Sequence, residues 1–386
     1  MINIGIIGAT GLVGEELIKL FEDENNPNFN LILFSSKKKF INKFKKSYCT
    51  TILDDESIKN LNYAFFVSNN EISKKYIPIA LKNDCTCIDN SSQYRLDNNI
   101  PLIIPEINVQ DINDNKLIAS PNCCATILSV VLNNIQKKIG LEKINVSTYQ
   151  SASGGGHKLV SELKIQGIEY YKNEPLTTTQ CGRQYIWNVF SHNSPIDLET
   201  GYNEEEIKLI AETKKIFKNS FNITATCVRV PTLRSHCESV TITLKNPITI
   251  NHLTKILEDT EGVLVLDNRE NDLSPDAITA CKNKKVLVGR IREDNTQKKN
   301  YGYHLFISGD QLLKGASLNA FQIFNYILKN TDKNKLQNLN ITDKREKITN
   351  NFLPIYCSIC GELWGGNFNN YNRNCSLCLA EININT

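Results

Sequence analysis

The sequence has 386 residues, of which 41% are hydrophobic and 22% charged, and its formal net charge at pH 7 is +3. This length suits two domains with room for a small appendage. The small net charge, without a long basic block, argues against nucleic-acid binding, and no apolar run is long enough to span a membrane.

The cysteine count and the start of the chain indicate the compartment. The chain has 13 cysteines, an odd number, and it opens directly into an apolar strand at residues 2–7, so we expect no secretory signal. Reduced thiols and metal ligands are therefore expected rather than a disulfide framework. We expect a cytoplasmic protein.

A glycine-rich turn follows the first strand. It reads Gly8-Ala-Thr-Gly-Leu-Val-Gly14, and helical apolar spacing follows from Glu15 to Phe21. Strand, glycine turn and helix form the arrangement that binds a dinucleotide, because the glycines let the backbone approach a pyrophosphate at the helix N-terminus. The spacing is GxxGxxG rather than GxGxxG, but its place directly after the first strand strengthens the prediction.

The end of the second strand, predicted at residues 30–34, bears on the choice of nucleotide. An NAD-selective site usually carries Asp or Glu here for the ribose 2′-hydroxyl. This chain reads Ser35-Ser-Lys-Lys-Lys39 instead, and hydroxyls with ammonium groups suit a 2′-phosphate. We therefore predict NADP, with a solvated lysine cluster as the alternative.

Strands and helices continue to alternate along the first third of the chain. Buried strands are predicted at 63–67 and 85–88, with a helix at 72–81 between them. The second of these strands ends in the polar loop Asp89–Arg95, at the sheet edge where such folds bind ligands. The alternation predicts an α/β fold with a doubly wound parallel sheet.

Cys123 lies where a strand changes into a helix. Leu117 and Ile118 end a strand, residues 120–122 break it, and apolar helical spacing begins at Cys124. Unpaired N–H groups and the helix dipole favour an anion at such a place, so a thiol there has a larger thiolate fraction. The alternative is a small buried cysteine without chemistry.

The pattern changes in the second half. Strands are predicted at 143–150, 224–230, 239–244, 286–292 and 303–308, with a glycine-rich loop at 151–156 and a helix at 203–217. Strands in sequence with few helices predict a mixed or antiparallel sheet in a second domain. An amphipathic helix at 314–328 is expected to return to the first domain.

The C-terminal region has a different character. Residues 330–352 are polar and aperiodic, which predicts a linker. Two CxxC pairs follow, Cys357 with Cys360 and Cys375 with Cys378, and four thiolates at this spacing predict a zinc-ribbon-like module at 353–386. Unrelated surface cysteines are the alternative.

His236 and Arg229 complete the set of candidate residues. A His can hold or release a proton near neutral pH, and an Arg offers a planar fork for a carboxylate. Considered alone, a single His is more often structural than catalytic.

Together these motifs resemble the aspartate-semialdehyde dehydrogenase family from residue 2 to about residue 328. The motifs that carry the resemblance, in chain order, are Gly8-Ala-Thr-Gly-Leu-Val-Gly14, Asp89-Asn-Ser-Ser92, Pro121-Asn-Cys123, Ser147-Thr-Tyr-Gln-Ser-Ala-Ser-Gly154, Cys227-Val-Arg-Val-Pro231, Leu233-Arg-Ser-His236 and Lys314-Gly-Ala-Ser-Leu-Asn319.

The resemblance implies a reversible reaction in lysine, threonine and methionine biosynthesis, in which NADPH reduces L-aspartyl 4-phosphate to L-aspartate 4-semialdehyde with release of phosphate. It implies Cys123 as the nucleophile that forms an acyl-thioester, His236 as the acid/base and Gln150 as the orienting residue. It also implies a homodimer or homotetramer.

The resemblance further implies binding residues. Substrate would be held by Arg229 on the α-carboxylate, Glu205 on the α-amino group, and Arg95 with Lys208 on phosphate. The cofactor would be held by Gly8, Thr10, Gly11, Leu12, Val13, Ser36, Lys38, Ser153, Gly154, Gly155 and Asn319.

The implied organisation is a Rossmann-type NADP-binding domain at 1–125, completed by the helix at 314–329, and an α+β catalytic and dimerisation domain at 126–313. Two features depart from the family pattern: Cys124 follows the nucleophile where Ser or Thr is usual, and the CxxC tail is additional. We assign the tail a structural or docking role.

Two alternative functions are considered. One is N-acetyl-glutamyl-phosphate reductase, which shares the mechanism but fits less well around residues 147–154 and 229–236. The other is a non-catalytic scaffold that acts through the zinc module.

Overall fold

The structure, a computed structural model, describes residues 1–338, 355–356 and 363–364, with side chains described through residue 330. The chain divides into two units, residues 1–330 and 331–386. The four predicted zinc ligands, Cys357, Cys360, Cys375 and Cys378, lie outside the described residues.

Within residues 1–330 the strands are β1 (Ile2–Ile7), β2 (Phe29–Phe34), β3 (Phe40–Ile41), β4 (Tyr48–Cys49), β5 (Tyr63–Phe66), β6 (Thr86–Asp89), β7 (Leu117–Ala119), β8 (Leu141–Gln150), β9 (Phe190–Ser191), β10 (Asn222–Arg229), β11 (His236–Leu244), β12 (Val263–Val265), β13 (Val286–Glu293) and β14 (Gly302–Gly309).

The helices are α1 (Leu12–Glu24), α2 (Asn70–Lys82), α3 (Pro105–Asn108), α4 (Cys123–Lys138), α5 (Gly156–Lys172), α6 (Glu204–Ile216), α7 (Ile250–Glu258), α8 (Ala277–Ala280) and α9 (Leu318–Asn338). A π-helical turn, Leu313–Ser317, directly precedes α9.

The first sheet has the order β2-β1-β5-β6-β7, and all its neighbouring strands are parallel. Helices α1 and α9 contribute to the core on one face, where Phe324 contacts Phe21 and Phe65 edge-on. Helix α2 packs on the other face through Tyr76 and Ile77. Each fully buried side chain of this size stabilises the fold by roughly 1.5–3 kcal/mol. The predicted parallel Rossmann-like sheet is confirmed.

The second sheet is mixed and has the order β12-β13-β14-β11-β8-β10-β9. Strand β8 pairs parallel with β10 and antiparallel with β11, so the centre of the sheet contains both types. Buried and less buried residues alternate along β8, and its buried face packs in one core with residues of α4, α6 and α7. The mixed sheet predicted for the second half of the chain is therefore confirmed.

Helix α4 connects the two sheets. It begins directly after β7 of the first sheet, and its apolar residues, among them Leu128 and Val131, pack in the core of the second sheet. A residue at the start of α4 is therefore held between the two sheets.

The sequence predicts few helices in the second half of the chain, but the structure has two unpredicted helices there, α5 and α7. Two of the buried positions of α5 are polar: Glu162 accepts hydrogen bonds from the backbone N–H groups of Gln180 and Cys181, and Gln166 accepts from that of Tyr185. These buried polar residues interrupt the apolar periodicity that predicts a helix.

The C-terminal end of α9 also differs from the expected boundary, because the helix continues to Asn338, within the region predicted as linker. Further along, Ile355–Tyr356 (β15) pairs antiparallel with Leu363–Trp364 (β16). Across the described residues, no helix has the length and apolarity needed to cross a bilayer.

Candidate active site

Cys123 is the first residue of α4. The side chain of Asn122 caps this helix, since its Oδ1 accepts hydrogen bonds from the backbone N–H groups of Cys124 at 2.9 Å and Ala125 at 3.3 Å. The helix dipole favours negative charge at this end, so the location promotes ionisation of a thiol.

The two adjacent thiols have different environments. A hydrogen bond from the Cys124 thiol, assisted by His236, holds the pKa of Cys123 well below its usual range, although burial opposes this. Burial, together with its hydrogen bond to Cys123 and the charge there, raises the pKa of Cys124. Cys123 lines a cavity, whereas Cys124 is fully buried. These differences support Cys123 as the nucleophile.

His236 begins β11 and is almost fully buried. Its Nδ1 accepts a hydrogen bond from the backbone N–H of Ser151 at 3.1 Å, so the neutral ring carries its proton on Nε2. Nε2 has no hydrogen-bond partner among the described residues. Because a ring nitrogen of His236 lies within 4.8 Å of the Cys123 Sγ, the ring can exchange a proton with a group bound at Cys123.

The cavity beside Cys123 has a volume of about 310 Å³ and is lined by residues from both sheets and their connections. The predicted site residues that line it are Val13, Arg95, Cys123, Gln150, Ser153, Gly154, Glu205, Arg229 and His236.

Gln150 and Glu205 form one hydrogen-bonded group next to the thiols. The Gln150 Nε2 donates to the Cys124 Sγ at 2.7 Å and to the Glu205 Oε1 at 3.0 Å, and the Asn122 Nδ2 donates to the same Oε1 at 2.9 Å. Although burial opposes its charge, these amide hydrogen bonds and the positive charge of Arg229 keep the pKa of Glu205 below its ordinary value. Glu205 therefore presents a carboxylate to the cavity.

Arg229 provides the opposite charge. Its Nε donates to the Asn193 Oδ1 at 3.2 Å and its Nη1 to the backbone oxygen of Ser151 at 3.1 Å, while 5% of the residue is exposed. The cavity thus contains an oriented guanidinium and a carboxylate, which suits a ligand carrying both an anionic group and an ammonium group.

Arg95 and Lys208, the predicted phosphate ligands, are placed differently from one another. Arg95 lines the cavity, but its guanidinium bonds the Glu212 carboxylate at 3.1 Å and the backbone oxygens of Ser120 and Asn90. Lys208 is outside the cavity lining and pairs with Glu204 at 2.7 Å.

The glycine-rich turn before α1 is shaped for close approach of a ligand. It contains the predicted residues Gly8, Thr10, Gly11, Leu12 and Val13. Gly8 has φ +95°, and a Cβ there would lie 2.5 Å from the Val67 oxygen, so a side chain has no room. Gly11 is the N-cap of α1 and leaves the helix N-terminus without a side-chain cap. These features fit the pyrophosphate of a dinucleotide.

The predicted 2′-phosphate loop lies at the surface. Ser36 and Lys38 are both exposed, as are the flanking Lys37 and Lys39. Lys38 therefore has no packing that fixes its ammonium group.

The remaining predicted cofactor residues fall into two groups. Ser153 and Gly154 line the cavity, with Gly155 directly after them in a short 3₁₀ turn. Asn319 is fully buried instead, and its amide donates to the backbone oxygen of Ile103 and to the Ser120 Oγ. Through Ser120, Asn319 supports the chain just after the end of β7.

Further residues line the cavity without having been identified from the sequence, among them Asn90, His192 and Gln311. Asn90 lies within the motif Asp89–Ser92, so the sequence did contain a signal that could have identified it as a site residue. Burial and the charge of Arg229 lower the pKa of His192 to about 4, so His192 is neutral in the physiological range. Nothing in the local sequence around His192 or Gln311 indicates a site.

One group among the described residues could offer three ligand atoms to a metal ion, namely Cys123, Cys124 and His236. The Nδ1 of His236 faces a backbone N–H donor, so the protonated Nε2 would have to bind the metal. A metal-binding imidazole normally donates from its other nitrogen to an acceptor. This environment does not fit a resident metal.

Comparison with known proteins places this geometry in a family. The chain is 34% identical to the aspartate-semialdehyde dehydrogenase of Aquifex aeolicus (strain VF5) over 336 residues, which cover 85% of this chain and 98% of that one. The chain belongs to the aspartate-semialdehyde dehydrogenase family. It is also 35% identical to the Bacillus subtilis (strain 168) enzyme of that name, with 83% of this chain and 96% of that one covered.

Sequence models of the family match two segments. The NAD binding domain of semialdehyde dehydrogenase matches residues 3–115, and the dimerisation domain of semialdehyde dehydrogenase matches residues 132–314. The first segment contains strands β2, β5 and β6 and nearly all of β1 of the parallel sheet. The second segment contains the mixed sheet, together with Gln150, Glu205, Arg229 and His236 of the cavity lining.

Solved structures agree with this family assignment. Aspartate semialdehyde dehydrogenase II from Vibrio cholerae, also solved as a complex with ASA, has a TM-score of 0.80 at 32% identity and covers 85% of this chain and 98% of its own. The Candida albicans enzyme with NADP has a TM-score of 0.66 at 19% identity, covering 86% of this chain and 100% of its own, and shares the fold.

Proposed function

We propose that the protein catalyses the reversible, NADPH-dependent reduction of L-aspartyl 4-phosphate to L-aspartate 4-semialdehyde and phosphate. The observation that carries this proposal is the meeting of Cys123, His236, Arg229 and Glu205 at one cavity. Family membership provides the substrate class.

Cys123 acts as the nucleophile. Its thiolate attacks the carbonyl carbon of the acyl phosphate, the carbon–oxygen bond to phosphate breaks, and phosphate leaves, which gives a thioester. A dinucleotide held by the glycine-rich turn before α1 would supply the hydride for reduction of this thioester. His236 protonates the developing oxygen anion and later removes that proton as the carbon–sulfur bond breaks, which releases the aldehyde and restores the thiolate.

Substrate recognition is assigned to charges in the cavity. Arg229 holds the α-carboxylate, Glu205 holds the α-ammonium group, and Gln150, which bonds both Glu205 and Cys124, orients the acyl group against the thiol. Arg95 and Lys208 are proposed for phosphate. Because the guanidinium of Arg95 is already bonded to Glu212, we expect it to exchange partners when phosphate binds.

The position of Glu205 favours this substrate over the N-acetylated one. A carboxylate facing the cavity matches an ammonium group, whereas an acetylated amine carries no charge to satisfy it. The same argument weakens the scaffold alternative, because a protein without a charged ligand gains nothing from burying these groups.

NADP is the proposed cofactor. The turn of Gly8, Thr10, Gly11, Leu12 and Val13 would hold the pyrophosphate, and Ser36 with Lys38 would contact the 2′-phosphate. Ser153, Gly154 and Gly155 would border the nicotinamide, with Asn319 supporting that region. The fit of this turn to a dinucleotide rests on the absence of room for a side chain at Gly8.

A homodimer or homotetramer is proposed as the working assembly. Support comes from the match to a dimerisation domain and from an exposed aromatic cluster within it, Tyr170, Tyr171 and Trp187, whose rings contact one another. Exposed apolar residues Ile168 and Val189 lie in the same segment. A second copy of the chain would remove these surfaces from water.

A zinc-binding module is proposed for the C-terminal region, with Cys357, Cys360, Cys375 and Cys378 as ligands and a structural or docking role. Four thiolates can close a tetrahedral zinc site, and the β15–β16 pair flanks the first CxxC in sequence. Zinc content of the purified protein, compared with that of Cys357→Ser, tests this. Equal content in the two proteins would refute it.

The test of the proposed reaction is phosphate-dependent reduction of NADP by purified protein supplied with aspartate semialdehyde, measured beside Cys123→Ala. We expect turnover in the wild type and its loss in the variant. Cys49→Ala, which changes an exposed cysteine outside the cavity, is the matched control. No turnover in folded wild-type protein would refute the proposal.

A further inference from the structure

The adjacent thiols of Cys123 and Cys124 have chemistry that acyl-phosphate reduction does not use. Their two Sγ atoms and a ring nitrogen of His236 lie within 4.8 Å of one another. The second thiol, Cys124, directly follows the proposed nucleophile in the sequence.

The two thiols differ in access and reactivity. Cys123 lines the cavity, so a small oxidant that enters meets Cys123 first. Its lowered pKa gives it thiolate character, and the thiolate is the form that peroxides oxidise. Cys124 is fully buried behind it and stays a thiol at neutral pH.

We propose that Cys124 is the resolving thiol of Cys123, so that peroxide oxidation of the nucleophile ends in a reversible Cys123–Cys124 disulfide. In the first step the Cys123 thiolate attacks one peroxide oxygen, the oxygen–oxygen bond breaks, and hydroxide leaves. Cys123 is thereby oxidised to a sulfenic acid and the peroxide is reduced.

In the second step the Cys124 sulfur attacks the Cys123 sulfur. The sulfur–sulfur bond forms, the sulfur–oxygen bond breaks, and the departing hydroxide combines with the Cys124 proton as water. Without this step, a second peroxide would oxidise Cys123 to a sulfinic acid, which reducing agents do not reverse.

The geometry predicts that the disulfide is easily reduced. Adjacent Cα atoms across a trans peptide are about 3.8 Å apart, whereas disulfide-bonded Cα atoms are usually at least about 4.4 Å apart. Ring closure must also distort the first turn of α4, where the Asn122 side chain caps the Cys124 N–H. A strained disulfide of this kind protects the nucleophile reversibly, because reducing agents easily convert it back to two thiols.

The test uses one tryptic peptide, Leu117–Lys137, which contains Cys123 and Cys124 and no other cysteine. Wild-type protein is treated with hydrogen peroxide, free thiols are blocked, and the peptide mass is measured without reduction. We expect a peptide lighter by two hydrogens, together with recovery of the initial activity after dithiothreitol. A sulfinic acid in this wild-type peptide instead of the disulfide would overturn the proposal.

Cys124→Ser is the decisive variant, and Cys49→Ser, which changes an exposed cysteine, is its control. In Cys124→Ser we expect the peptide to gain two oxygens and the lost activity, relative to the untreated variant, not to return with dithiothreitol. Recovery equal to that of wild type would contradict the proposal. If Cys124→Ser does not fold, Cys124→Ala serves instead. The peptide masses report the oxidation state of Cys123 directly, so they test the disulfide proposal even if the proposed substrate is wrong.

Discussion

The two ends of the proposed active site differ in how firmly the protein holds them. At the substrate end, Gln150, Arg229 and His236 are buried and Glu205 is half-buried, and each is fixed by hydrogen bonds. At the nucleotide end, Lys38 and the residues beside it are exposed. Preorganised groups act strongly on the reacting atoms, whereas an exposed ammonium contributes little. We therefore expect substitutions at the substrate end to have much larger effects.

The largest effect after loss of the nucleophile is expected at His236. His236→Asn removes the proton exchange, and we expect kcat to fall roughly 100- to 10,000-fold with KM changed little. The matched control is His304→Asn on β14, whose ring contacts Thr241 away from the cavity. Steady-state kinetics check this, and a fall of less than about tenfold would exclude His236 as the acid/base.

The next largest effect on activity is expected at Arg229. Arg229→Lys keeps the charge but loses the planar fork, and we expect kcat/KM for the amino-acid substrate to fall about 10- to 100-fold, with KM for NADPH unchanged. Arg269→Lys, which changes a guanidinium bonded to the Ile291 backbone oxygen, is the control. An effect confined to NADPH would show that Arg229 has been assigned to the wrong ligand.

A smaller effect is expected in the pH dependence of Cys123 alkylation, which tests the lowered pKa of this thiol directly. Because the pKa of Cys123 is lowered, its thiolate persists below the usual thiol pKa of about 8.5, so iodoacetamide should react at neutral pH. Cys124→Ala removes the hydrogen bond to this thiolate, so the pKa should rise and the rate profile should shift to higher pH. An unshifted or downward-shifted profile would contradict the assigned role of Cys124.

The smallest effect is expected at the nucleotide end. Lys38→Ala should raise KM for NADPH only about two- to fivefold, because an exposed ion pair contributes about 1 kcal/mol or less. KM for NADH should not change, and Lys82→Ala, at an exposed position on α2, should change neither. Equal losses with both nucleotides would remove Lys38 from the 2′-phosphate site.

The same contrast explains how much the sequence could predict. Cys123 was found because a strand end, a break and helical spacing meet there, and Gly8 because its turn follows the first strand. Both signals are local. Arg229 and His236 are separated from Cys123 by about a hundred residues, and only the family resemblance brought them together.

Other features depend on contacts that no local pattern encodes. The bonds of Arg95 to Glu212 and of Asn319 to Ser120 arise from tertiary packing. His192 joins the cavity because β9 pairs with β10 and the backbone N–H of His192 bonds the Cys227 oxygen. Helix α5 escaped prediction because its buried face carries polar side chains.

The most direct test of the central claim is capture of the acyl-enzyme. Wild-type protein is incubated with aspartate semialdehyde and NADP without phosphate, quenched in acid, and digested with trypsin. We predict that the peptide Leu117–Lys137 carries an aspartyl group on Cys123 and that added phosphate removes it. An enzyme that turns over with phosphate but shows no adduct, or carries it on Cys124, would contradict the assignment of Cys123 as nucleophile.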